Sequence, residues 1–134
     1  MKPRSAKAKG RTFSAEVAAT ICRRLGISPD EVQVTPSGVN GPDIYFSPAA
    51  LKLFPFTVEC KNQQTIKIWS ALAQAAGHAI GTALVPLLIF RRNRSESFVT
   101  IHIDDFLELV LRGNANAVTH RGDATNAEES RVLF

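Results

Sequence analysis

Three side chains in the segment "VNGPDIYFSPAALKLFPFTVECKNQ", residues 39–63, have types and spacing suited to chemistry: Asp43, Glu59 and Lys61. Each sits against a short apolar run, 44–46 or 54–58, that reads as a strand. Strand side chains alternate between faces. Glu59 and Lys61 therefore share a face with Thr57, while Phe56, Val58 and Cys60 point the other way into a core. In the first strand Asp43 goes with Tyr45, opposite Ile44 and Phe46. A hairpin centred near Leu51 pairs Asp43 with Glu59, and directly opposed residues project from one face about 5 Å apart. Two carboxylates then meet with an ammonium one step along.

Opposed like charges destabilise a hairpin, so something must offset them. Lys61 offsets part. A divalent cation offsets more, and Mg²⁺ is commonly held by one or two carboxylates, several waters and substrate phosphate. Such a centre suits phosphodiester hydrolysis, because the metal acidifies a bound water and polarises phosphoryl oxygens. An adjacent ammonium orients the water and stabilises charge growing on the phosphate. Taken singly the residues have plainer readings. "NGPD" is good turn chemistry, and Glu59 with Lys61 makes an ordinary solvated ion pair.

The flanking sequence must position these groups. Phe13, Val17, Ile21 and Leu25 recur every four residues, Ala18 and Cys22 widen the stripe, and Gly26 stops a helix expected over 12–25. "SPDE" is a turn or a single helical turn, "EVQVTP" a short strand, and "PSGVNGP" a loop of breakers. A long helix is expected over 65–82, with Trp69, Leu72, Ala73, Ala76 and Ile80 as its buried stripe. Its Ala71, Ala75, Ala76, Ala79, Gly77 and Gly81 allow close approach, by the sheet or by a second copy. "LVPLLIFRR" is apolar enough for a central strand covered on both faces. "SFVTIHI" is a further strand, and "DDFLELVLRG" a closing helix with Asp104 or Asp105 as N-cap. The order α-β-β-β-α-β-β-α predicts an α/β (α+β) domain: a mixed sheet of four or five strands with helices packed on it.

The 134 residues fit one domain and are 45% hydrophobic, enough for a core without staples. The net charge of +4 is unevenly placed. Residues 1–11 carry Lys2, Arg4, Lys7, Lys9 and Arg11 and no acid, whereas residues 12–112 are neutral. A flexible basic arm (1–11), a domain (12–112) and a polar tail (113–134) follow, the arm suited to phosphate contact. Arg91, Arg92 and Arg94 form a second basic cluster. Cys22 and Cys60 are far apart and read as reduced core thiols. His78, His102 and His120 form no metal-binding pair, which argues against zinc. No apolar run is long enough to span a membrane, and no signal stretch follows the basic start. The expected location is the cytoplasm, the host's if the gene is a phage's.

Pro42-Asp43 followed by Glu59-Cys60-Lys61 resembles the signature of the PD-(D/E)XK nucleases, whose restriction-endonuclease-like core runs α-β-β-β-α-β. The resemblance spans about 80 residues. The small size, the basic "KAKGR" lead-in and the helix after it are similar to the archaeal-type and phage Holliday junction resolvases. The segment "SPAALKLFP" is longer and more apolar than a tight resolvase hairpin, and the region after Arg91 matches nothing in them.

That resemblance implies an endodeoxyribonuclease using Mg²⁺, with Mn²⁺ as a substitute and no small-molecule cofactor. Asp43 and Glu59 would hold the metal, assisted by Glu16 on the first helix and the Cys60 carbonyl. Lys61 would position the attacking water. Gln74, sharing a helix face with Lys67, Ser70 and His78, would lie beside the site. Lys7, Lys9, Arg11, Lys67, Arg91, Arg92 and Arg94 would hold DNA. A four-way junction needs two symmetric cuts, hence a homodimer. The alternatives are the same chemistry on duplex, flap or single-stranded DNA, or a nucleic-acid-binding module without catalysis.

Overall fold

Ala6, Lys7, Ala8 and Lys9 are good helix formers and outweigh the single Gly10, so the first helix starts early. In the computed structural model, which describes residues 6–121 and side chains through residue 115, α1 is Ala6–Leu25. The basic segment expected to be flexible is thus helical from Ala6 on, and residues 1–5 lie outside the described part. Phe13, Val17, Ala18 and Cys22 face inward as expected, but Leu25, at the end of the stripe, is exposed. Gly26, at φ +69°, closes α1, and the Ile27 N–H reaches back to the Cys22 carbonyl at 3.0 Å. That left-handed position is one that glycine occupies without strain.

A single 3-10 turn, Pro29–Glu31, leads into β1, Val32–Val34, and the breaker loop separates it from β2, Ile44–Phe46. Between β2 and β3, Phe56–Asn62, stands an unexpected short helix, α2, Pro48–Leu53. Its start was written in "SP". Ser47 Oγ accepts from the Ala50 N–H at 3.1 Å, Pro48 occupies the first turn, and the Ser47 hydroxyl also bonds the Glu31 carboxylate. A serine cap followed by proline is a strong helix opening. It explains why this connection is too long for a tight hairpin.

The remaining elements are α3, Ile68–Ala79, β4, Val85–Arg91, β5, Phe98–Thr100, and α4, Ile103–Arg121. The chain divides between Ile101 and His102 into two units. The first holds a five-stranded sheet in the order β1-β2-β3-β4-β5. Only β3 and β4 run parallel, joined through α3; the other neighbours are antiparallel. The expected mixed sheet is therefore present. The core lies between α1 and the face of the sheet that carries Ile44, Val58, Cys60, Leu87 and Ile89. In β4, Leu87, Leu88 and Ile89 are all buried, so the strand is covered on both faces as its apolar run predicts.

Helix α3 packs on β3 and β4 through a different stripe from the expected one. Ala71 and Ala75 are buried, while Trp69 is 84% and Ile80 82% exposed. The helix is apolar almost all round, so periodicity alone does not choose its inner face. The alanines win because they let the backbone sit close to the sheet.

The second unit contains α4. Its start is capped by His102 rather than by Asp104 or Asp105. The Asp104 N–H donates to His102 Nδ1 at 3.1 Å, and the two aspartates lie in the first turn. The helix continues through residues 113–121, where a loose tail was expected; residues 122–134 lie outside the described part.

Candidate metal and phosphodiester site

The register of β2 against β3 decides whether the carboxylates meet. Ile44 pairs with Val58, and the next residues outward are Asp43 and Glu59, in the register that a hairpin centred near Leu51 requires. Backbone bonds tie the aspartate in place on both sides. Its N–H donates to the Val58 carbonyl at 3.0 Å, and its own carbonyl accepts from the Thr35 N–H at 2.9 Å. The side chain is fixed as well, since Asp43 Oδ2 accepts the Cys60 N–H at 2.6 Å. One oxygen of Asp43 thus bonds the β3 backbone, at the residue between Glu59 and Lys61.

Alternation along β3 turns Glu59 toward α3 and Cys60 toward α1. The Glu59 side chain is almost wholly buried, with Lys61 Nζ 3.5 Å from Oε1 and His78 Nδ1 3.6 Å from Oε2. Burial, reinforced by the charge of Asp43 and partly offset by Lys61, pushes its carboxyl up from 4.5 to about 7. Burial foremost, then the Asp43 charge, pushes the Cys60 thiol up to about 12. Among the described residues three buried side-chain polar atoms have no hydrogen-bond partner: Glu59 Oε2, His78 Nδ1 and Asn62 Oδ1. Buried polar groups are nearly always satisfied, so each such orphan calls for an explanation.

Asp43, Cys60, Lys61 and Asn62 line one wall of a polar cleft of about 310 Å³, and Lys7, Gly10, Arg11 and Ser14 of α1 line another. Two of the expected phosphate-binding cations, Lys7 and Arg11, thus stand over the same cleft as Asp43 and Lys61. The Glu59 carboxylate does not line it.

The other expected residues divide. Glu16 is two positions beyond Ser14, about 200° further round the helix, and points elsewhere. It binds Arg91, with Oε2 2.6 Å from Nη1. The Arg91 guanidinium also lies 4.5 Å from the centre of the Phe13 ring. Glu16 is therefore not placed at the carboxylate pair, and Arg91 is held by partners of its own. Lys9 donates to Asn93 at 3.3 Å. Arg92, Arg94 and Lys67 are exposed. Gln74 is also exposed, and the α3 side chain that reaches Glu59 is His78 instead. Sequence reasoning missed that role because it chose the wrong inner face. The available signal was spacing: His78 follows Ala71 by seven and Ala75 by three, on the stripe that packs.

Among the described residues no three His, Cys, Asp or Glu side chains group as a metal-ligand cluster. The site therefore offers two opposed carboxylates, one with an unpartnered oxygen, and any cation would complete its shell with carbonyl, water and substrate oxygens. That hard-oxygen donor set fits a hard divalent cation. A cation would also offset the Asp43 repulsion that adds to the effect of burial on Glu59.

A family model described as "Phage putative PDDEXK endonuclease" matches residues 5–132. No curated protein matches the chain. No solved structure matches it either.

Proposed function

We propose, from the premise that this chain belongs to the phage PD-(D/E)XK endonuclease family, that it is a Mg²⁺-dependent DNA endonuclease acting at Asp43, Glu59 and Lys61. The observation that carries this reading is the register that puts Asp43 and Glu59 next outward from the Ile44–Val58 pair, with Lys61 on the same strand as Glu59. Asp43 and Glu59 would hold the cation, with the Cys60 carbonyl as a further donor. Bound there, the ion would acidify a water and draw charge from the phosphoryl oxygens. Lys61 Nζ would hold the attacking water by donation to its oxygen and balance charge developing on the phosphate. Lys7 and Arg11, above the cleft, would position the DNA backbone, which places the strand without reading its sequence. Mn²⁺ is expected to substitute for Mg²⁺.

The substrate we favour is structured DNA, a four-way junction in its most specific form. Symmetric cuts in a junction call for a homodimer with two sites related by a two-fold axis. No helix among the described residues is long and apolar enough to cross a membrane, and the setting proposed is the host cytoplasm.

One observation favours a second reading. Glu59 lies beneath α3, outside the cleft that holds the cations. A binding module that keeps the fold would need no access to it. Cleavage of a labelled four-way junction, a linear duplex and a single strand, each with Mg²⁺ and with EDTA, beside Lys61→Ala, separates the readings. Paired cuts in the junction alone, lost with EDTA and in the variant, support the resolvase. Metal-dependent cutting of the other DNAs keeps the chemistry and rejects the junction. Tight binding with no cutting under any divalent metal supports the binding module.

A further inference from the structure

We propose that His78 is a positioning residue for Glu59, holding the outer carboxylate oxygen from α3 so that the acid presents a fixed donor to a divalent cation. The role rests on the metal-site reading of Asp43 and Glu59 given above.

The geometry is a pair of unfinished bonds. Glu59 Oε2 and His78 Nδ1 are both buried, both lack a hydrogen-bond partner, and lie 3.6 Å apart. That separation is a few tenths of an ångström longer than a good N–H···O bond. The Glu59 side chain is almost wholly buried, so water does not satisfy Oε2 freely. On its other oxygen the carboxylate meets Lys61 Nζ at 3.5 Å. It is thus flanked on one side by its own strand and on the other by the helix.

The packing of α3 makes the contact specific. Ala71 and Ala75 press the helix onto the sheet, and their small size sets how close its backbone lies. His78 is one turn beyond Ala75 on the same stripe, and its ring spans the remaining distance to Glu59. An ionised Glu59, as a cation requires, draws an Nδ1–H donor more strongly than a neutral one. A small closing movement of the ring completes the bond and fixes the carboxylate rotamer. Side chains that orient metal-ligating carboxylates in this way commonly change metal affinity 10–100-fold when removed.

The test is Mn²⁺ binding by isothermal titration calorimetry on the full chain, for wild type, His78→Ala and His78→Asn, with thermal unfolding of each metal-free protein alongside. Asparagine keeps an N–H close to the Nδ1 position. The expected result is Mn²⁺ affinity about 10–100-fold weaker in His78→Ala and recovery to within a few-fold of wild type in His78→Asn. Unchanged affinity in His78→Ala, or a change in unfolding temperature alone, would overturn the positioning role and leave the nuclease reading standing. If His78→Ala does not fold, weak binding by a folded His78→Asn equally contradicts it. Absence of Mn²⁺ binding by the wild-type protein would instead remove the metal-site reading on which the role depends.

Discussion

Glu59 is held in a place that opposes its own charge. Burial, with Asp43 opposite, raises its carboxyl from 4.5 to about 7, so the folded protein binds its proton more tightly than the unfolded chain does. The resulting stability is fully present below about pH 4.5 and is lost as the pH rises through about 7. Glu59→Gln removes that dependence. The metal-free variant should unfold several degrees above wild type at pH 8 and converge with it at pH 4.5. Thermal unfolding across that range checks the sign; a variant less stable than wild type at pH 8 would contradict it. Sites that must hold a cation commonly sacrifice stability in this way. Cys60, one residue on, shows the opposite use of burial. Its thiol, pushed up to about 12, should resist alkylation by iodoacetamide at pH 8 in the folded protein. Mass spectrometry of the treated protein reads the outcome directly.

At the scale of elements, the β2–β3 pair was legible because alternation and pairing follow fixed rules. The face of Glu59 and Lys61, the core face of Val58 and Cys60, and the Ile44–Val58 register all follow from strand geometry. Helix α3 was not legible in the same way. Its stripes at Ala71/Ala75 and at Trp69/Leu72/Ile80 are both apolar, and only the depth available above the sheet separates them. Helix geometry also decides where Glu16 and Gln74 sit. Helix phase put Glu16 against Arg91, and on the face that Gln74 and His78 share it is His78, one turn on, that reaches the acid. The breaker loop contributes its own constraint. Gly41 has φ +126°, and a Cβ there would collide with the Tyr45 hydroxyl. Gly41→Ala should cost about 1–3 kcal/mol in chemical denaturation. It should also reduce cleavage by displacing Asp43, two residues on, with partial relief in a Tyr45→Phe background.

At the scale of the described molecule, Lys7, Arg11 and Lys61 line one cleft with Asp43. The basic N-terminal segment is a continuation of α1, so Lys7 and Arg11 have fixed positions over the cleft and do not belong to a loose arm. The composition predicted the charge but not its rigidity, because alanine and lysine read equally well as solvated tail or helix. If both side chains contact phosphate, Lys7→Ala and Arg11→Ala should each lower the slope of log affinity against log salt by about 1. DNA binding measured at several salt concentrations would show it, and a slope unchanged in both variants would remove the cleft from the DNA path. The most direct test of the central claim is cleavage of labelled DNA by wild type and Glu59→Gln, in Mg²⁺ and in EDTA, with binding measured on the same samples. The account predicts cutting by wild type only with the metal, and by Glu59→Gln not at all, while the variant still binds DNA. Cutting by Glu59→Gln at the wild-type rate, or cutting by wild type in EDTA, would contradict it.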